Sequence, residues 1–330
     1  MKSSIIPVFI PHLGCPNDCI FCNQRRIAAP KVPSAQDVRE IINGALEYAE
    51  KPQISFYGGS FTCIDPKLQE EYLSAAFEYV RTGIADSLRI STRPDGIDEQ
   101  TLARLKRFGV KTVELGAQSM DGHVLRLARR GHTAEDVKRA SRMIKRAGFE
   151  LVLQIMPGLP GADADIDLQT AREIAALEPD AVRIYPVCVI KDTALCDMYE
   201  RGEYTPLTPE SAADRCADIW EVFIEAGIPV IRIGLNPTEE LSSGAAVAGA
   251  YHPAMGQLVR SARLYKKAVQ ILDGMKPFEN ALIEVPCGKL SDMRGQKNTN
   301  IAKLKNRYPN TVIDIKENKN QKEEIFIIKI

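Results

Sequence analysis

The chain has no run near the roughly 20 apolar residues of a membrane span, so no membrane partner is expected. No secretory leader is expected either: the opening MKSSIIPVFIPH is broken by Pro7 and Pro11 and lacks a small-residue cleavage site. Nor is there net charge, since 43 Lys and Arg balance 43 Asp and Glu, and the total predicts no DNA, RNA or membrane partner. No internal repeat and no low-complexity segment stands out. What remains is an ordinary globular composition, 45% apolar and 26% charged over 330 residues, enough for one large domain or one large and one small. The expected address is cytoplasmic, where thiols stay reduced and clustered cysteines bind metals or act in catalysis more often than they form disulfides.

What is there is alternation. Short apolar or β-branched runs at 5–11, 53–59, 87–93, 112–118, 151–157, 181–187 and 230–235 read as strands. Amphipathic stretches at 34–50, 65–83, 98–109, 134–148, 167–178 and 209–227 read as helices, and Gly109, Gly148 and Gly227 end three of them. Strand then helix, repeated, means parallel strands with crossovers. The fold class expected is α/β, a partial (β/α) barrel, with a doubly wound open sheet as the alternative that periodicity alone does not exclude. In both, functional groups gather where strands end, and the ends here carry GCPNDCIFC, YGGSF, STRPD, GAQSM, MPGLPG and YPVCVIKDT.

The pattern changes after residue 276. Runs at 280–286, 311–317 and 323–330 read as strands and 298–308 as a short basic helix. The expected organisation is a core over 1–240, a helical extension over 241–275, and a small C-terminal α/β module over 276–330, with Pro277 near the boundary. Residues 288–330 hold ten Lys or Arg against five Asp or Glu, a local basic excess that hints at a polyanionic partner or is a solvated face.

Cys15, Cys19 and Cys22 fall in the spacing Cys-x3-Cys-x2-Cys just after the first strand. Thiolates are soft ligands that select zinc, copper(I) or iron–sulfur clusters. A structural zinc wants four ligands, and His12 is the nearby candidate. Three ligands on one loop instead leave a metal position open for a substrate or second cofactor.

This spacing, with Phe21 before the last cysteine, resembles the radical S-adenosylmethionine (radical SAM) superfamily. The resemblance implies that Cys15, Cys19 and Cys22 hold a [4Fe–4S] cluster whose open iron chelates S-adenosylmethionine. The cofactor is then cleaved reductively to a 5′-deoxyadenosyl radical, and an electron donor such as flavodoxin or ferredoxin is implied. It further implies that Tyr57, Gly58, Gly59 and Ser60 meet the methionine part, that Gln118 contacts the cofactor, and that Arg130 binds its carboxylate. IMPGLPG is similar to a loop near the adenosine, and Gln154 stands where relatives often carry an acidic residue.

STRPD, VELGAQS, RRGHT and VIKDTALCDMYERGEYTPLTPE are similar to the radical SAM part of the Elongator catalytic subunit and its stand-alone bacterial relatives. That resemblance implies a tRNA base as substrate. The gap between the first two cysteines is narrower here than in Elongator, and acetyl-CoA use is not expected, since no room for an acetyltransferase domain remains. The tail is similar to the centre of a KH RNA-binding module, with Gly295 as the first glycine of a Gly-x-x-Gly loop, Asn298 in place of the second, and Arg294, Lys297, Lys303 and Lys305 facing phosphates. Two other readings stay open: a radical enzyme acting on a small molecule or porphyrin-like cofactor, and a non-catalytic metal- or RNA-binding adaptor. His132 and Tyr185 are candidates for substrate contact, and Cys63 and Cys188 for facing the cavity. Cys196, Cys216 and Cys287 read as ordinary thiols.

Overall fold

The computed structural model describes residues 4–10, 15, 17–23, 32–239, 241–275, 279–320 and 324–329. His12 and Pro277 lie outside the described residues.

Seven parallel strands build the main sheet: β1 (Ile5–Ile10), β2 (Gln53–Gly58), β3 (Ser87–Thr92), β4 (Val110–Gln118), β5 (Glu150–Ile155), β6 (Ala181–Ile184) and β8 (Val230–Ile233). They lie in sequence order, β1-β2-β3-β4-β5-β6-β8, with no reversal. A doubly wound sheet reverses its order at a switch point. A sheet without a reversal sends every right-handed crossover to the same face. The crossover helices include α1 (Ala35–Leu46), α2 (Pro66–Arg81), α3 (Glu99–Arg107), α4 (Gly122–Leu127), α5 (Ala134–Arg146), α6 (Ala164–Ala175), α7 (Ala194–Glu200) and α8 (Pro209–Glu225).

Side chains alternate across a strand. One set, with Ile54, Phe56, Leu88, Ile90, Leu151 and Leu153, is fully buried in the main core under the helices. The other set, with Ser55, Tyr57, Arg89, Glu114 and Arg183, is polar and lines the concave face. The curl is visible in a single bond. Arg183 on β6 donates to the Tyr57 hydroxyl on β2 at 2.8 Å. In a flat sheet, four strand spacings of about 4.8 Å would hold these strands roughly 19 Å apart. The sheet is a partial barrel, the expected class, and not the doubly wound alternative. Its lower end is closed by Gln53, which donates to the hydroxyls of Ser87 and Thr112 at 3.1 Å each, while Thr112 donates to Glu150 at 2.7 Å.

The helices start and stop for local reasons. Ser34 and Asp37 form a reciprocal capping box on α1, and Thr133 and Asp136 form another on α5. Two features are too short for periodicity to find, α7 and the strand β7 (Cys188–Ile190). β7 pairs antiparallel with β9 (Ala246–Gly249), so the stretch expected as a helical extension contains a strand.

Helix α9 (Met255–Met275) joins two cores. Met255 and Val259 pack in the barrel core, whereas Leu264, Ala268 and Leu272 pack in a second core with Ile283, Val285, Met293 and Leu304. That second core lies under a three-stranded sheet of β10 (Asn280–Val285), β11 (Val312–Glu317) and β12 (Phe326–Lys329). The order is β11-β10-β12, with β10 parallel to β11 and antiparallel to β12. Between β10 and β11 run α10 (Leu290–Arg294) and α11 (Thr299–Arg307).

Candidate active site at the barrel mouth

The described part of the cysteine segment, residues 15 and 17–23, lies against the loops at the strand ends of the barrel. Its second half is pinned by backbone bonds: Ile20 N–H donates to Ala128 at 3.2 Å, and Leu195 N–H donates to Ile20 at 2.8 Å. Ile20 is itself buried in a satellite core with Val124, Ala128, Leu159 and Leu195. Asn23 donates to the Lys191 carbonyl at 2.7 Å. Cys22 N–H donates to the Cys19 carbonyl at 3.0 Å, so these two cysteines sit across one tight turn.

Two buried arginines reach the thiols. Arg93, at the end of β3 and 1% exposed, donates to the Cys15 sulfur at 3.6 Å. Its other nitrogens grip Asp95 at 2.7 and 3.0 Å and the Arg130 carbonyl at 2.6 Å. Arg130 donates to the Cys19 sulfur at 3.4 Å and to the Gly116 carbonyl at 2.7 Å. Among the described residues its buried Nε has no partner. A guanidinium beside a sulfur compensates the negative charge that a metal-bound thiolate carries. The donor set therefore fits an anionic metal–sulfur group: three thiols on one loop, two faced by guanidiniums, and a buried N–H left over beside them. Among the described residues, no three His, Cys, Asp or Glu side chains gather around a single-ion site.

The ends of β1 and β2, and of β4 and β5, pack closely together. Gly58 has φ +109°, and a Cβ there would lie 2.2 Å from the Ile10 carbonyl oxygen, so only glycine closes β2 against β1. Gly59 is buried and its N–H donates to Ile10 at 3.4 Å. At β4 the register slips between Gly116 and Gln118, and Gln118 takes φ +67°, which is costly for a residue with a side chain. Its amide oxygen accepts from Gln154 at 3.2 Å. A Cβ on Gly116 would lie 2.6 Å from the Gln118 amide nitrogen and 3.3 Å from an Arg130 nitrogen.

The structure thus brings Cys19, Arg130, Gln118 and Gln154 into one connected group. Tyr57 contributes differently, since its hydroxyl points to Arg183 in the lumen. Ser60 begins the single turn Phe61–Cys63, and its side chain makes no cap bond.

His132 is buried, and its Nε2–H donates to the Ala117 carbonyl at 3.1 Å. Burial, then the Arg130 guanidinium, lowers its pKa to about 4, so it braces the loop as a neutral ring. Cys188 is buried with its pKa pushed up to about 11 by burial, which makes it an inert thiol. Cys63 is half-buried, and burial pushes its pKa up despite the nearby Arg93. Arg93 was legible only as part of STRPD, and sequence reasoning gave it no role. Its signal was a basic residue at a strand end.

In the tail, the loop between α10 and α11 runs Gly295-Gln296-Lys297-Asn298 with φ +73° at Gly295, +51° at Lys297 and +59° at Asn298. Asparagine enters the left-handed region more readily than other side-chain-bearing residues, so Asn298 keeps a glycine-like bend. Arg294, Gly295, Lys297 and Asn298 line a shallow cavity of about 590 Å³. Asn300 fastens the loop by donating to Ser261 and Met293 at 3.0 Å each. Lys303 lies over the Tyr265 ring, 5.4 Å from its centre.

Comparison with known proteins gives the same outline. The profile of the "Radical SAM superfamily" matches residues 9–174, and that of the "Radical_SAM C-terminal domain" matches residues 179–265. A tRNA uridine(34) acetyltransferase of Methanocaldococcus jannaschii is 32% identical over 184 residues, covering 50% of this chain and 34% of that protein. One of the same name from Dehalococcoides mccartyi is 26% identical over 258 residues, covering 66% and 56%. The chain therefore spans between a third and just over half of these relatives' length. Among solved structures, the archaeal Methanocaldococcus infernus Elp3 with an N-terminal deletion superposes with TM-score 0.62 at 24% identity, over 83% of this chain and 64% of that one, a likeness of fold. Among the described residues, no helix is long and apolar enough to cross a membrane.

Proposed function

Because the chain belongs to the radical SAM superfamily, we propose that Cys15, Cys19 and Cys22 hold a [4Fe–4S] cluster at the barrel mouth and that S-adenosylmethionine binds there. The observation that carries this reading is the pair of buried guanidiniums, Arg93 and Arg130, each directed at one of the loop's sulfurs. When held there by Cys15, Cys19 and Cys22, the cluster would supply one electron for cleavage of S-adenosylmethionine to methionine and a 5′-deoxyadenosyl radical, the chemistry needed to take hydrogen from a substrate carbon.

The chain's own residues do the rest. Arg93 and Arg130 offset the thiolate charge, and the Nε of Arg130, without a partner among the described residues, is the donor for the cofactor's carboxylate. Gly58 and Gly59 let backbone approach the methionine part, with Tyr57 and Ser60 flanking them. Gln118 and Gln154 present amides at the ends of β4 and β5.

The proposed substrate is RNA, a tRNA base. Relatives that share the barrel carry the name tRNA uridine(34) acetyltransferase. The basic tail loop, read as KH-like, supports backbone contact through Arg294, Lys297, Lys303 and Lys305. The organisation proposed is a catalytic barrel over 1–240, a connecting segment over 241–275 and an RNA-facing module over 276–330. A flavodoxin or ferredoxin is the proposed electron donor, and the cytoplasm the proposed location. The test is 5′-deoxyadenosine formation by the anaerobically reconstituted protein with and without tRNA. Stimulation by tRNA supports the reading. Formation that tRNA leaves unchanged would remove RNA as the substrate.

A further inference from the structure

Below the mouth, the lumen holds more positive charge and more hydrogen-bond donors than its own residues satisfy. Arg89 on β3 is 6% exposed, and among the described residues no side chain or carbonyl accepts a hydrogen bond from it. Arg183 on β6 lies 3.2 Å from Glu114, as an ion pair without a hydrogen bond. Glu114, 3% exposed, is within electrostatic reach of both arginines. Two guanidiniums against one carboxylate leave a buried positive charge. Such a charge is strongly unfavourable in a protein interior unless something pairs with it.

The hydroxyls point the same way. Tyr57 and Tyr185 each accept a bond from Arg183, at 2.8 and 2.9 Å, which leaves both phenolic hydrogens to donate. Ser55 pairs in register with Arg89, and Ser91 with Glu114; among the described residues the buried hydroxyls of both serines have no partner. Donors outnumber acceptors. An apolar ligand would leave Arg89 unpaired and a neutral nucleobase could accept its hydrogen bonds but not balance its charge, whereas an oxyanion supplies both the charge and the acceptor lone pairs.

We propose that the lumen of the barrel is an oxyanion subsite, in which Arg89, the Tyr57 and Tyr185 hydroxyls, Ser55 and Ser91 bind a carboxylate or phosphate of the substrate or co-substrate. Its assignment to the substrate rests on the radical reading above, because the lumen lies directly beneath the proposed cofactor.

The test is thermal unfolding of the anaerobically reconstituted protein in sodium acetate, sodium phosphate or sodium chloride at equal ionic strength. The expected result is a higher midpoint in acetate or phosphate than in chloride. A rise in acetate alone identifies a carboxylate, a rise in phosphate alone identifies a phosphoester, and a rise in both supports the shared oxyanion chemistry. Arg89→Met should lose the rise completely, yet melt in chloride at or above the wild-type temperature, because it removes an unpaired buried charge. Arg89→Lys should keep part of the rise. No rise in the wild type, or a rise kept in Arg89→Met, overturns the proposal. So does a large drop in the chloride midpoint of Arg89→Met, which would mark a structural arginine. A rise abolished by saturating S-adenosylmethionine would give the subsite to the cofactor and overturn the substrate assignment. None of these readouts needs turnover. An enzyme that binds the anion but makes no 5′-deoxyadenosine would therefore contradict the radical reading separately.

Discussion

Acidification should unfold this protein partly through one imidazole. His132 is 3% exposed, its Nε2–H is committed to Ala117, and protonating Nδ1 would place a second positive charge beside Arg130. Its folded pKa of about 4 lies below the ordinary 6.5. The unfolded chain therefore binds the proton more readily, and stability present above pH 6.5 is lost as pH falls toward 4. At pH 5 the unfolded imidazole is almost fully charged and the folded one almost fully neutral, which costs about 2 kcal/mol. At still lower pH the loss approaches about 3 kcal/mol. Urea unfolding at pH 7.5 and pH 5 should show this loss in the wild type. His132→Gln keeps a donor for Ala117 but has no proton to bind, so its loss over the same interval should be smaller by about 2 kcal/mol. All other titrations are common to both proteins. Equal losses in the two would refute the reasoning.

Other perturbations test separate parts of the account. Gly58→Ala forces a methyl group against the Ile10 carbonyl at a positive φ, and should lower stability by more than about 2 kcal/mol in urea unfolding. A near-neutral result would mean that β1 and β2 do not meet as described. Arg93→Met leaves the Arg130 carbonyl and Asp95 without their partner, and should cost about 3 kcal/mol by the same measurement and lower the iron content after reconstitution. Unchanged stability and iron content would remove Arg93 from the site. Asn298→Val puts a β-branched residue where φ is +59°, and should weaken tRNA binding by fluorescence anisotropy at least about tenfold, with the barrel's melting unchanged. Undiminished binding would argue that the tail loop does not touch RNA.

The strand–helix alternation was readable because each unit carries its own local signals, such as the Ser34 and Thr133 capping boxes and the glycines at 109, 148 and 227. The choice between barrel and doubly wound sheet was not, because strand order is non-local; the Arg183–Tyr57 bond decides it across 126 residues. β7 and β9 are three and four residues long and pair across more than 50 residues, below the reach of periodicity. The cysteine triad was legible from spacing alone, and Gly58 from its place at a strand end. The lumen was hidden for a physical reason: a polar residue alternating along a strand looks the same whether it faces water or the inside of a barrel. Nothing in the sequence sets Arg89, Glu114 and Arg183 apart from half-exposed strand positions; only the closing of the sheet covers them. Arg130 was expected to grip a carboxylate, and the fold adds two bonds that sequence does not show, to Cys19 and to Gly116.

The central claim is that the loop of Cys15, Cys19 and Cys22 carries a cluster to which S-adenosylmethionine binds. The most direct measurement is the EPR spectrum of the anaerobically reconstituted, dithionite-reduced protein with and without S-adenosylmethionine. The account predicts a reduced [4Fe–4S] signal that changes shape when the cofactor is added and disappears in Cys19→Ala. A protein that takes up zinc but no iron or sulfide, or a cluster signal indifferent to the cofactor, would contradict it.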